Sequence, residues 1–360
     1  MNDTIKVAFC IDEGYAQHLA VALASLVLHN GGNKLDVYVA SPPLKPESMN
    51  RLKKIGTALS VNLIFKEIQG DRVANFREHL HLSRAAYFRI LLSEILPEVE
   101  KIIYLDCDLV VEANLAPLWE IDLTDYAAAG VDEENPVQTS RLNLDDDLYI
   151  NSGVLVLNLA YWREHKLTVK CLDWVNENPH KNILLDQDAI NVSLKYKKKT
   201  INIMWNLNPV PLEDLDVLKK YPQRIIHFGG PIKPWHKCYD FNLQAIYKKY
   251  LALTDWDQNF TLQEPKNIGQ ACLVANQLHA NNDYFNAGLY YQKAIEYWLA
   301  NKSLDSKLLL DCINGGHRHF NSQDYTSACE HYRSCIEHWG YPLHYTVNIY
   351  KMPGLLDSMF

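Results

Sequence analysis

No apolar run in this 360-residue chain approaches the ~18 residues a membrane-crossing helix requires, so no transmembrane segment is expected. The opening stretch, Met1 to Ile11, lacks the basic start and long apolar centre of a secretory signal; a cytoplasmic location is the default expectation. No CxxC pair occurs among the eight cysteines, at positions 10, 107, 171, 238, 272, 312, 329 and 335. That spacing excludes a short secreted disulfide framework and predicts reduced thiols. Excess basic charge is also missing: 35 Lys and Arg stand against 43 Asp and Glu, which argues against a general nucleic-acid binder. The one basic run, Lys195 to Lys199, reads as a solvated face or helix end. What is present is a soluble globular composition, 48% hydrophobic and 22% charged, in a chain long enough for one large domain or two.

The most informative stretch runs from Lys101 to Glu112, where Asp106-Cys107-Asp108 interrupts the apolar runs Ile102 to Leu105 and Leu109 to Val111. A buried strand is expected there, and side chains two apart on a strand point the same way. Two buried like charges are costly unless a partner relieves them. Magnesium or manganese would do so, with substrate phosphates completing the shell. A solvated turn at a strand end is the other reading of the same pair.

The remaining chain alternates strands and helices. Lys6 to Ile11 reads as a strand, Ala16 to Leu28 as a helix, Leu35 to Ala40 as a strand, Pro46 to Ile55 as a helix and Val61 to Phe65 as a strand. Such alternation predicts an α/β fold with a mixed, mainly parallel sheet covered on both faces. Ligands in such folds sit beyond the C-terminal ends of the strands. Asp12 and Tyr15 stand there to hold a base or ribose, although Asp12 would also serve as a helix cap. Ser83 to Leu92 has a helical pattern in which Arg89 is either a buried ion-pair partner or a phosphate contact. The polar stretch Asp132 to Asp147 is expected to be a loop, with Asp145 to Asp147 solvated. Asn151, Ser152 and Gly153 open the apolar strand that ends near Leu159, and one helix is expected from Trp162 to Asn176. Asp186, Gln187 and Asp188 then head an apolar helix, one as a cap and two with function. His227 and Lys233 flank a Gly-Pro turn, offering a nitrogen ligand and a positive charge, although a histidine in such a place is commonly structural.

Taken in order, Phe9 to Tyr15, Tyr87 to Ile90, Tyr104 to Asp108, Asn151 to Leu157, Asp186 to Asp188 and His227 to Trp235 resemble the retaining glycosyltransferases of family eight, which include bacterial lipooligosaccharide galactosyltransferases and glycogenin. The resemblance covers roughly residues 5 to 240 and implies a GT-A-type Rossmann-like fold. It also implies a UDP-hexose donor and manganese, or magnesium, as cofactor. By position, Asp106, Asp108 and His227 would be the metal ligands. Asp12 and Tyr15 would hold the uracil, with Cys10 touching it through its backbone. Arg89, Asn151, Asp186 and Gln187 would surround the sugar, and Gly230 and Lys233 the diphosphate. Cys10 and Gly14 depart from the small or polar residues expected of close relatives, so any side-chain contact at Gly14 is lost.

Beyond Trp256 the composition turns helical, and a catalytic domain over 1–258 followed by an all-α add-on over 259–360 is expected. Asp283-Tyr284, Ala287, Tyr291, Ile295-Glu296 and Trp298 recur as Asp324-Tyr325, Ala328, Tyr332, Ile336-Glu337 and Trp339. The repeat resembles the second helix of tetratricopeptide units and offers a surface for a protein partner or self-association. The leading reading is transfer of galactose or glucose from a UDP-sugar to a saccharide or glycoprotein acceptor. A nucleotidylyltransferase lacks its glycine-rich loop after the first strand. A non-enzymatic scaffold would have no need of Asp106, Asp108, His227 and Lys233 together.

Overall fold

The computed structural model describes residues 4–69, 73, 76, 84–144, 146–208, 215–230, 233–237, 241–300 and 307–338. The chain divides into two compact units, one of residues 1–229 with 245–260 and one of residues 230–244 with 261–360.

Among the described residues, the first unit is organised by nine strands: β1 (Ile5–Cys10), β2 (Leu35–Ser41), β3 (Asn62–Glu67), β4 (Lys101–Leu105), β5 (Leu109–Glu112), β6 (Ala128–Asp132), β7 (Ile150–Asn158), β8 (Lys198–Thr200) and β9 (Arg224–His227). Seven form one sheet in the order β3-β2-β1-β4-β7-β6-β8. The first four run parallel, β7 is antiparallel to β4 and β6, and β8 is parallel to β6. The sheet is mixed, as the alternating pattern predicts. Strand side chains alternate between faces: Ala8 and Cys10 join one buried cluster with Tyr38 and Tyr104, while Val7 and Phe9 join the other with Val37 and the helix Ala16–Asn30. From β1 the order steps through β2 to β3 on one side and to β4 on the other. That reversal makes a topological switch point between β1 and β4, and sheets of this kind take their ligands beyond the C-terminal ends of the strands at such a point.

Six expectations are corrected. Asp106 and Asp108 do not lie within one strand; β4 ends at Leu105, the acidic pair sits in a bend, and β5 leaves the main sheet to pair antiparallel with β9. The pattern over Ser83 to Leu92 is a 3-10 helix, Arg84–Leu91, leading into a short α-helix, Leu92–Ile95; Ser83 itself lies outside the described residues. The helix expected from Trp162 to Asn176 is two, Leu159–Glu164 and Leu167–Glu177, parted where Lys166 takes a left-handed φ of 54°. Lys198 is not solvated: its ammonium is buried on the Asp147 carboxylate at 2.6 Å and the Asn191 carbonyl at 2.7 Å. Asp147 is correspondingly not a free surface acid, and Asp145 lies outside the described residues. The polar stretch after β6 also contains the helix Pro136–Arg141, capped by Asn135 accepting from the Gln138 N–H.

In the second unit, Ile268–Ala280 and Tyr284–Leu299 form one helical pair, and Lys307–Asn321 and Tyr325–His338 another. The repeated residues do the same work in each. Asp283 and Asp324 cap through the Asn286 and Ser327 N–H groups, and Ala287 and Ala328, Tyr291 and Tyr332, and Ile295 and Ile336 are all buried in one core. Tyr291 donates to Asn276 at 2.7 Å, and the Tyr332 hydroxyl meets His317 Nδ1 at 2.9 Å. Trp339 lies outside the described residues.

Removing one partner of a buried ion pair strands the other charge. Lys198→Met is therefore expected to cost about 3 kcal/mol, measured by urea unfolding; a change within 0.5 kcal/mol, roughly the scatter of surface substitutions, would show that the pair is not structurally important.

Candidate active site

The acidic bend is held from both ends. The Asp106 N–H donates to the Gly153 carbonyl at 2.8 Å, and the Phe228 N–H donates to the Asp108 carbonyl at 2.8 Å. Because β5 pairs with β9 so that Leu109 faces His227, the imidazole arrives beside the carboxylates. His227 Nε2 lies 3.3 Å from Asp108 Oδ1 and 3.7 Å from Asp106 Oδ2. One ligand atom from each of Asp106, Asp108 and His227 lies within 4.8 Å of the others. Two carboxylate oxygens and a nitrogen suit a divalent cation such as Mn2+ or Mg2+.

Gly153 makes room for this cluster. A Cβ there would lie 2.2 Å from His227 Cε1 and 3.0 Å from Asp106 Oδ2. The glycine permits a close approach between side chain and backbone, as its place at the strand opening indicates.

Arg89 organises the next layer. Its Nη2 lies 2.9 Å from Asp106 Oδ1, its Nη1 donates to the Ser152 carbonyl at 2.7 Å and to the Ser152 hydroxyl at 3.1 Å, and its Nε donates to the Ala86 carbonyl at 2.9 Å. The guanidinium also lies over the Tyr104 ring at 4.6 Å, and Tyr104 donates to Asp106 Oδ1 at 2.6 Å. Burial disfavours the Arg89 charge, but Asp106 and Asp186 together hold its pKa well above the ordinary value. Of the two readings of Arg89, the buried ion pair is what the fold contains.

Asp186 Oδ2 lies 3.0 Å from Arg89 Nε, yet that N–H already points at Ala86, and the oxygen is buried without a hydrogen-bond partner among the described residues. Burial raises the Asp186 carboxyl to about 6, with Arg89 opposing the rise and Asp106 adding to it. Leu185, just before it, takes a φ of 50°, a left-handed backbone that costs a β-carbon residue ~1–3 kcal/mol and gathers at functional sites. Asp188 is the structural member of its trio: it accepts from the Ile183 and Leu184 N–H groups and pairs with Arg141 at 2.8 Å. Gln187 is tied at both ends, its Oε1 accepting from the Ser152 N–H at 2.9 Å and its Nε2 donating to Glu133 and Tyr149 at 3.3 Å each.

Asn151 accepts from the Gly153 N–H and donates to Glu133 Oε1. Burial pushes the Glu133 carboxyl up, against the hydrogen bonds from Asn151 and Gln187. At the end of β1, the buried Cys10 thiol is pushed well up by burial, and the Cys10 carbonyl receives the Cys107 thiol at 3.8 Å. Asp12 caps the following turn by accepting from the Tyr15 N–H at 3.2 Å. Burial first, and then the charges of Asp108 and Asp106, push the Tyr15 hydroxyl well up. Gly230, with φ 84°, and the buried Lys233 belong to the second unit. Ser152, legible beside Asn151 and Gly153, belongs to the network, as do Glu133, Tyr149 and Asn206, which do not stand out in the sequence; of these three, only Glu133 lies in a stretch, the polar loop, that gave a signal.

Residues 6–238 match the sequence profile of glycosyl transferase family 8, and the chain belongs to that family. It is 27% identical to general stress protein A of Bacillus subtilis over 71% of this chain and 96% of that protein. It is also 27% identical to a lipopolysaccharide 1,2-glucosyltransferase of Escherichia coli K12 over 71% of this chain and 80% of that one. Among solved structures, the galactosyltransferase LgtC in complex with donor and acceptor sugar analogs matches with a TM-score of 0.62 at 24% identity, covering 70% of this chain and 96% of that one. The fold is accordingly GT-A-like.

Two outcomes are expected. Gly153→Ala should displace His227 and lower Mn2+ affinity at least tenfold, the scale of a disturbed metal surround, with an unchanged circular dichroism spectrum; undiminished affinity would show that the imidazole is not a ligand. The second concerns pH. The native state keeps a proton on Asp186 up to about pH 6, where an ordinary carboxyl of pKa 3.8 has lost it, so this group's contribution to stability falls as pH rises from 4 to 6. Two pKa units correspond to about 3 kcal/mol. Asp186→Asn should remove that slope in urea titrations of the metal-free protein, and an unchanged slope would refute the assignment.

Proposed function

We propose that the chain is a retaining, manganese-dependent glycosyltransferase that moves galactose or glucose from a UDP-hexose to a saccharide or glycosylated-protein acceptor, with Mg2+ as the alternative ion. The observation that carries this reading is the Asp106, Asp108 and His227 cluster joined through Arg89 to Asp186, whose buried oxygen has no hydrogen bond. A sugar hydroxyl would supply the donor that this oxygen lacks. Asp106, Asp108 and His227 would hold the cation, which when bound offsets charge on a departing diphosphate. Cys10, Asp12 and Tyr15 would receive the uridine, and Gly230 and Lys233 the diphosphate. Arg89, Asn151, Asp186 and Gln187 would orient the hexose. Residues 1–258 would carry the reaction, and the helices over 259–360 would serve an acceptor or protein partner.

The side chains set the chemistry of the sugar. An ionised Asp186 favours positive charge developing at a sugar ring. Gln187 is a neutral amide already bonded at both ends, and an amide in that state is a poor nucleophile. Attack by the acceptor on the same face as the departing diphosphate follows as the favoured route to retention. The saccharide acceptor has the support of the E. coli relative named as a lipopolysaccharide glucosyltransferase. Among the described residues no helix is long and apolar enough to cross a membrane, and we place the activity in the cytoplasm.

Incubation with Mn2+ and a panel of UDP-sugars should give UDP release from one donor in preference to the rest. Asp108→Asn should reduce that release at least 100-fold while the fold survives. Equal turnover by the variant would reject the metal assignment; no hydrolysis of any donor, together with no UDP binding by calorimetry, would favour a scaffold.

A further inference from the structure

Four side chains from separate segments form a single line. Asn151 Nδ2 donates to Glu133 Oε1 at 2.7 Å, Asn206 Nδ2 donates to Asn151 Oδ1 at 2.7 Å, and Asn206 Oδ1 meets His227 Nδ1 at 2.9 Å. Its direction is fixed by a backbone donor. The Gly153 N–H, which only donates, meets Asn151 Oδ1 at 2.8 Å, so the Asn151 amide nitrogen is the atom that faces Glu133. Asn151 Oδ1 must then receive the Asn206 amide nitrogen, which leaves the Asn206 oxygen facing the imidazole. An oxygen in that place accepts, so Nδ1 of His227 carries the hydrogen.

We propose that Asn206, oriented by Asn151 and Glu133, is a positioning residue that fixes the tautomer of His227 with its hydrogen on Nδ1 and its lone pair on Nε2, toward Asp106 and Asp108. The imidazole of a free histidine favours the opposite tautomer, with Nε2 protonated and unable to bind a cation. The Asn206 oxygen reverses that preference before any ion arrives. Histidine ligands to metals are commonly held through their second nitrogen, and loss of that bond costs ~10–100-fold in affinity. Asn206 and His227 are both buried, so water does not readily replace the lost acceptor. The inference rests on the reading of Asp106, Asp108 and His227 as cation ligands.

The test uses full-length protein with 15N-labelled histidine. His227→Asn identifies the His227 signal among the fourteen histidines, and metal-free spectra then report which ring nitrogen is protonated. Mn2+ alone is titrated in parallel, free ion being followed by electron paramagnetic resonance. Wild type should show His227 protonated on Nδ1. Asn206→Ala should shift the proton toward Nε2 and weaken Mn2+ binding about 10–100-fold. Glu133→Ala should weaken binding in the same direction, and the double variant should bind no worse than Asn206→Ala alone, since both changes break one line. Wild-type protonation on Nε2, unchanged Mn2+ affinity in a folded Asn206→Ala, or strictly additive losses would each overturn the proposal. Wild-type Mn2+ binding that survives Asp108→Asn would instead overturn the ligand reading, and the metal-free spectra would still decide the tautomer.

Discussion

The site depends on one buried cation. Arg89 reaches two carboxylates, two carbonyls and a serine hydroxyl from the short 3-10 helix before β4, and without it Asp106 and Asp186 would meet as like charges in a poorly solvated place. A guanidinium suits that task because its fork of donors is planar, permanently charged and weakly hydrated compared with an ammonium. The arrangement also explains an apparent imbalance. Asp186 keeps one oxygen unpaired because Arg89 has spent its Nε–H on the Ala86 carbonyl. The charge of Arg89 and a hydrogen bond from the Ser152 side chain keep Asp186 in place while that one oxygen stays an open acceptor.

Around this centre the fold supplies position and little else. β1 and β4 lie side by side in parallel, and their C-terminal ends deliver Cys10 and the acidic bend to the same edge of the sheet. β7 contributes Asn151 to Gly153 from the antiparallel direction. The helix opening at Asp186 stands on the strained Leu185. The side chains with chemistry come from segments that end or bend, whereas the regular strands are filled by Val, Ile and Ala packed in two clusters.

The sequence showed this site through residue types whose burial makes them conspicuous. Asp106, Asp108, Asp186 and Arg89 are charges among apolar neighbours, and a charge in such company needs a reason. Gly153 was legible for the same cause, since a glycine opening an apolar strand marks a close approach. Glu133 and Asn206 were not legible. Each is a polar residue among other polar residues, and its role comes from neighbours far away in the chain. The strand continuity assumed across Asp106 to Asp108 was misread for a related reason: hydrophobic runs on both sides of a bend look like one strand until their partners, β7 and β9, are known. Lys198 was misread as solvated because its carboxylate partner lies in a distant loop. In the second unit the opposite holds, because the repeated Asp, Ala, Tyr and Ile positions each have a local packing duty that a helical period reveals.

The pairing of β5 with β9 also bears on the order of folding. The two acidic groups are neighbours in sequence, but His227 reaches them only when Leu109 meets it across 118 residues of chain. Closing so long a loop is entropically disfavoured until the intervening sheet has formed. A chain emerging from the ribosome can therefore build most of its first sheet before His227 joins the acidic bend, so the three-residue cluster is the mark of a domain whose distant strands have already paired.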